Sequence, residues 1–191
     1  MHGSALEAAG HSCRRAISMT SPTEADAGDK AVVRVGDEQA LDRLAKRLAG
    51  LLGESAFVTL SGDLGAGKTT FVKALAVAVG IDAAEVTSPT FGLIHVHRPP
   101  ATLAATGHPV RIVHADMYRL SCPGELTETG WDDAIAGDAW VFVEWPERIA
   151  AALPAARIDV AIEIESPSAR RLTFTGHGAG AAAIVRGLAC G

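Results

Sequence analysis

One stretch limits the folds open to this chain more than any other: Ser61-Gly62-Asp63-Leu64-Gly65-Ala66-Gly67-Lys68-Thr69-Thr70. Gly62, Gly67, Lys68 and Thr69 satisfy the spacing G-x-x-x-x-G-K-S/T. Each residue type has a physical task in such a turn. Glycines let the backbone take conformations that a Cβ forbids, so that successive N–H groups can close on an anion. The helix that follows directs its positive end at the same anion. A lysine at position 68 neutralises β- and γ-phosphate oxygens, and the Thr69 hydroxyl suits Mg²⁺. The flanks agree with this reading. The apolar run Ala56–Ser61 precedes the turn as a buried strand, and a helix from Lys68 to about Val79, closed by Gly80, follows it. Strand, glycine-rich turn and helix together predict a phosphate loop, or P-loop, in a nucleotide-binding α/β fold.

The rest of the chain is consistent with that class. Ala31–Val35 reads as a short strand. Asp37 is placed to cap a helix over Glu38–Leu52, where Leu41, Leu44, Leu48 and Leu51 recur at helical spacing before Gly53. Gly92–His97 and Val110–Ala115 read as strands joined by a surface loop from Arg98 to Pro109. Leu126–Ile135 reads as helix in two pieces around Gly130, and Trp140–Val143 as a fully apolar strand. Ile158–Glu165 and Leu172–Thr175 alternate apolar and polar residues, which predicts a half-exposed hairpin at the sheet edge. Interleaved strands and helices predict a three-layer P-loop NTPase sandwich, with a mostly parallel central sheet and an antiparallel edge hairpin. The expected organisation is a disordered extension over 1–30, an ATPase domain over 31–178, and a short tail or helix over 179–191. Met19 offers an alternative start. Arg14 and Arg15 lack the apolar segment that a secretion signal needs.

Two acids end apolar strand runs, where ligands of open α/β sheets bind. Glu144 follows Trp140-Val141-Phe142-Val143, and Asp116 follows Ile112-Val113-His114-Ala115. One is expected to hold Mg²⁺ and the other to position water or accept a proton; spacing alone does not divide the roles. In Thr87-Ser88-Pro89-Thr90-Phe91, hydroxyls flank a proline that fixes φ, so the segment is either a rigid turn that presents Ser or Thr to a γ-phosphate or an ordinary turn. Trp145 follows Glu144 and could stack on a ring or simply pack. His95, His97, His108 and His114 read as incidental residues of a surface hairpin rather than a metal cluster, because no Cys and no tight carboxylate pattern accompanies them.

Composition enters where it excludes. The chain contains no Asn, so the Asn-Lys-x-Asp segment with which guanine-specific P-loop proteins read their base is impossible, and ATP is favoured over GTP. The only Gln is Gln39, so a water-positioning Gln late in the chain is missing too. A net charge of −5 argues against an unaided grip on DNA or RNA. No apolar run reaches the roughly 18 residues of a membrane span. Three widely separated cysteines, Cys13, Cys122 and Cys190, fit a reducing cytoplasm.

Taken in order, G-D-L-G-A-G-K-T-T (62–70), T-S-P-T-F (87–91), H-A-D-M-Y-R-L (114–120), E-L-T-E-T-G (125–130) and V-E-W-P-E-R (143–148) resemble the bacterial TsaE/YjeE family over about residues 31 to 175. The resemblance implies a small ATPase of tRNA threonylcarbamoyladenosine biosynthesis. Its partners would be TsaD-like and TsaB-like proteins, it would touch tRNA only indirectly, and its turnover would reset their complex between cycles. It implies that Asp63, Leu64, Gly65, Ala66, Gly67, Lys68, Thr69 and Thr70 line the phosphates of ATP. It further implies that Thr69 and Glu144 hold Mg²⁺, that Asp116 stands with Lys68 at the γ-phosphate, that Trp145 lies beside the nucleotide and that Asp37 lies on the adenine side. An arginine of the late hairpin is also expected near the nucleotide, either Arg170 or Arg171. The competing readings are a small-molecule kinase with Asp116 as its base, and a nucleotide-gated binding module with negligible hydrolysis.

Overall fold

The computed structural model describes residues 29–190 apart from Phe91, 102–108, Val110 and Cys122. The expectation of disorder over 1–30 therefore falls almost wholly outside the described residues, as do Cys13, Cys122 and His108. The elements are β1 (Lys30–Val35), α1 (Glu38–Leu52), β2 (Ala56–Ser61), α2 (Lys68–Ala78), β3 (Ile94–His97), β4 (Ile112–Asp116), α3 (Trp131–Ile135), β5 (Trp140–Glu144), β6 (Arg157–Ile164), β7 (Arg170–His177) and α4 (Ala179–Ala189). Two 3₁₀ segments, Pro123–Thr129 and Pro146–Ala152, flank α3 and β5.

All seven strands form one sheet in the order β1-β7-β6-β2-β5-β4-β3. β6, β2, β5 and β4 run parallel, while β3, β7 and β1 join antiparallel. The hairpin of β6 and β7 forms as its alternation requires, with Ile158, Val160 and Ile162 buried on one face. It lies one strand in from the margin, because β1 returns from the start of the chain to pair outside β7.

The apolar stripe of α1 explains the larger core. Leu44, Leu48 and Leu52 are buried against the sheet with Phe71 and Leu75 of α2, Trp140, Phe142 and Phe174. Asp37 starts α1 by accepting a 2.7 Å bond from the Ala40 N–H, which satisfies one orphan donor of the first turn. On the opposite face a smaller core of Val113, Met117, Trp131, Val141, Val143 and Ile149 lies under α3 and the 3₁₀ segments. This second layer covers β2, β5 and β4; the outward face of β6 and β7 carries Arg157, Asp159, Arg171 and Thr173. No helix among the described residues is long and apolar enough to cross a membrane.

Ala179–Ala189 form the helix α4, with Val185 and Leu188 buried in the main core. Its seat depends on Gly176. A Cβ there would lie 2.6 Å from the backbone of Ala181 and Ala182. Gly176→Ala should therefore destabilise the fold by about 1–3 kcal/mol through overpacking, read as a lower urea midpoint. An unchanged midpoint would mean that α4 shifts off β7 without cost.

Candidate nucleotide site

The turn between β2 and α2 is held close to its neighbour strand. A Cβ on Gly62, at φ +141°, would run into the Ile162 carbonyl oxygen, so only glycine lets the loop lie this near β6. Gly67 caps α2 in a left-handed conformation with no side chain bonding the helix N-terminus, which leaves its positive end toward the cleft. From the next strand of the same hairpin, the Arg170 Nε donates to the Ala66 carbonyl at 2.9 Å, and its Nη1 donates to Ser166 and Ala169 carbonyls in the hairpin turn. Arg171 points away, half exposed, and pairs with Glu165. Of the two candidate arginines, Arg170 is the one that reaches the P-loop.

Inside the cleft Lys68, Asp116 and Glu144 are buried. The Lys68 Nζ donates to the Gly62 and Asp63 carbonyls at 2.7 and 3.0 Å and lies 4.1 Å from the centre of the Trp145 ring. The Thr69 hydroxyl donates to Glu144 Oε1 at 2.7 Å. Asp116 and Glu144 are register partners on β4 and β5, so the two acids that end those strands stand side by side. Asp116 Oδ2 accepts from the Thr90 and Ser88 hydroxyls at 2.6 and 3.2 Å, and Oδ1 accepts from the Tyr118 N–H at 3.0 Å. The Ser88 and Thr90 hydroxyls, for which a γ-phosphate is one of two readings, thus hold the Asp116 carboxylate. Trp145 sits at φ +58°, a left-handed conformation that is costly for a bulky residue. Its ring contacts Tyr118 at 5.0 Å. Strain of this kind persists where the surroundings over-determine it, here between Lys68 and Tyr118.

A recess of about 290 Å³ joins Gly65, Lys68, Thr69, Asp116, Glu144 and Trp145. A second, of about 190 Å³, opens between α1 and the hairpin and is lined by Asp37, Leu41, Gly65, Thr70 and Arg170 among others. The candidate residues therefore fall into two adjoining hollows around one loop. Leu64 is 80% exposed at the mouth. Asp63 contributes a backbone carbonyl to Lys68. Asp37 faces the second hollow, with one carboxylate oxygen already committed to capping α1.

His114 corrects the reading of the histidines as incidental surface residues. It is fully buried, and its Nε2 lies 2.8 Å from Glu144 Oε1. The signal was present in H-A-D: residues 114 and 116 of a buried strand face the same side. Among the described residues no group of three or more His, Cys, Asp or Glu side chains could hold a metal ion. A divalent cation in this cleft would therefore take most of its ligands from phosphate and water, as Mg²⁺ commonly does.

A mostly parallel sheet, a glycine-rich turn braced by the β6–β7 hairpin, and a lysine, hydroxyl and carboxylate set at its helix N-terminus define a P-loop nucleotide-binding protein. The family described as threonylcarbamoyl adenosine biosynthesis protein TsaE matches residues 35–173, and the chain belongs to it. It is 36% identical over 123 residues to the tRNA threonylcarbamoyladenosine biosynthesis protein TsaE of Treponema pallidum, covering 64% of this chain and 84% of that one. It is 38% identical over 139 residues to the Streptomyces coelicolor protein of the same name, covering 71% and 89%. The crystal structure of Bacillus subtilis YdiB superposes with a TM-score of 0.66 at 27% identity, covering 86% of this chain and 97% of that one.

Proposed function

We propose that this chain binds and hydrolyses Mg-ATP as the TsaE component of tRNA threonylcarbamoyladenosine biosynthesis, in the cytoplasm, with TsaD-like and TsaB-like proteins. One observation carries the ATPase reading: Lys68, the Thr69–Glu144 pair and Asp116 converge in one recess at the N-terminus of α2. Thr69 and Glu144 are hard oxygen donors 2.7 Å apart, a chemistry that fits Mg²⁺. Bound there, the ion would offset phosphate charge. The Lys68 ammonium exchanges the Gly62 and Asp63 carbonyls for phosphate oxygens, which are stronger, charged acceptors. Asp116, aligned by Thr90 and the Tyr118 N–H, holds the attacking water and accepts its proton. The second hollow, with Asp37, takes the nucleoside end. The lack of Asn favours adenine there, and the net charge of −5 leaves tRNA contact to the partners.

The test is ADP release by the chain alone, with TsaD and TsaB, and with a panel of small hydroxylated acceptors. Turnover should be slow alone and rise about tenfold or more with both partner proteins, and a pull-down of the two should depend on ATP. Phosphate recovered on a small acceptor would replace this reading with that of a kinase.

A further inference from the structure

We infer that His114 is a positioning residue that fixes the Glu144 carboxylate in the orientation in which it and Thr69 receive a divalent cation. The inference rests on the Mg-nucleotide reading above and names what holds its carboxylate in place.

Glu144 is almost wholly buried, and a buried carboxylate needs donors. Its Oε1 has two, the Thr69 hydroxyl at 2.7 Å and His114 Nε2 at 2.8 Å. Among the described residues Oε2 has no protein partner, and Glu144 lines the phosphate recess. One oxygen is thus pinned and the other is left to the cleft. Lys68 stands nearby yet bonds only to carbonyls and the Trp145 ring, so its charge is not spent on Glu144.

His114 has no comparable task elsewhere. It lies in the middle of β4, between His95 of β3 and Phe142 of β5, with no exposed surface. Its Nδ1 is buried without a partner. A proton on Nδ1 would be an unsatisfied buried donor, so the proton sits on Nε2 and is donated to Glu144. An apolar side chain of similar size would fill this position without an orphan nitrogen. The imidazole is explained by the one bond it makes. Groups that orient a metal-binding side chain commonly carry a 10- to 100-fold share of metal affinity.

The experiment compares the parent protein with His114→Leu and His114→Gln. Binding of a non-hydrolysable ATP analogue is measured by calorimetry in EDTA and across a Mg²⁺ titration. The leucine variant should need about tenfold more Mg²⁺ or above for its gain in affinity, with its EDTA affinity within about twofold of the parent. Glutamine can place an amide N–H where Nε2 was, and it should restore most of the loss. Nitrogen-15 spectra of the nucleotide-free parent should show His114 protonated on Nε2. A leucine variant with the parent's Mg²⁺ requirement, a glutamine variant no better than leucine, or a proton on Nδ1 would each overturn the inference. If the leucine variant does not fold, the glutamine variant and the spectrum still decide. A parent protein whose affinity does not respond to Mg²⁺ would instead overturn the metal reading beneath it.

Discussion

Lys68→Ala is expected to abolish measurable ATP binding. Among the described residues the ammonium is the only side-chain cation lining the phosphate recess, and it is 5% exposed. Hydrogen bonds from a charged donor are worth about 1.5–3 kcal/mol each, so losing two phosphate contacts weakens binding by about 100- to 10,000-fold. The Lys68 ammonium also lies against the face of the Trp145 ring, so alanine removes volume as well as charge. Lys68→Met separates the two effects. It keeps the stem and should lose as much affinity, with a smaller change in melting temperature. Calorimetry that found unchanged ATP affinity in both variants would remove the P-loop assignment altogether.

Asp116→Asn should lower ATP turnover by about 100- to 1,000-fold, the usual share of a positioned general base, while ATP affinity changes only a few-fold. The substitution is nearly isosteric, and the Thr90 and Ser88 hydroxyls that bond Oδ2 can turn to accept from an amide. Glu144→Ala should behave differently, chiefly by raising the Mg²⁺ concentration needed for binding. The two acids are register partners on adjacent strands, so the paired comparison assigns their roles more sharply than either variant alone. If Asp116→Asn shifted the Mg²⁺ requirement and Glu144→Ala did not, the roles would be exchanged.

Much of this arrangement was legible locally. The bounds of α1, the capping role of Asp37, the start of α2 at Lys68 and both strand-end acids follow from periodicity, turn chemistry and apolar runs within about 15 residues of each other. What was hidden depends on distant pairing. β1 is a plain apolar strand in sequence, and nothing local says that it pairs with β7 near the far end of the chain. The choice between Arg170 and Arg171 turns on register, because a one-residue shift sends a side chain to the other face of the sheet; the pairing of Ile164 with Arg170 sets it. His114 resembled its neighbours in sequence until burial between β3 and β5 distinguished it. Ser88 and Thr90 flank a proline within one short segment, but the carboxylate they serve lies 26 residues or more further on.

The bond from Arg170 to the Ala66 carbonyl spans 104 residues. A ribosome finishes the glycine-rich motif at Thr70, yet the brace on it is not made until Arg170 has been added. Until β6 emerges, Gly62 has no wall to lie against and β2 has an unpaired edge. Synthesis therefore orders the events: a nascent chain holds the nucleotide-binding residues long before it holds a nucleotide-binding shape. Shortening the chain from its C-terminus as far as the hairpin would remove the support of the oldest part of the site while leaving every residue of the motif in place.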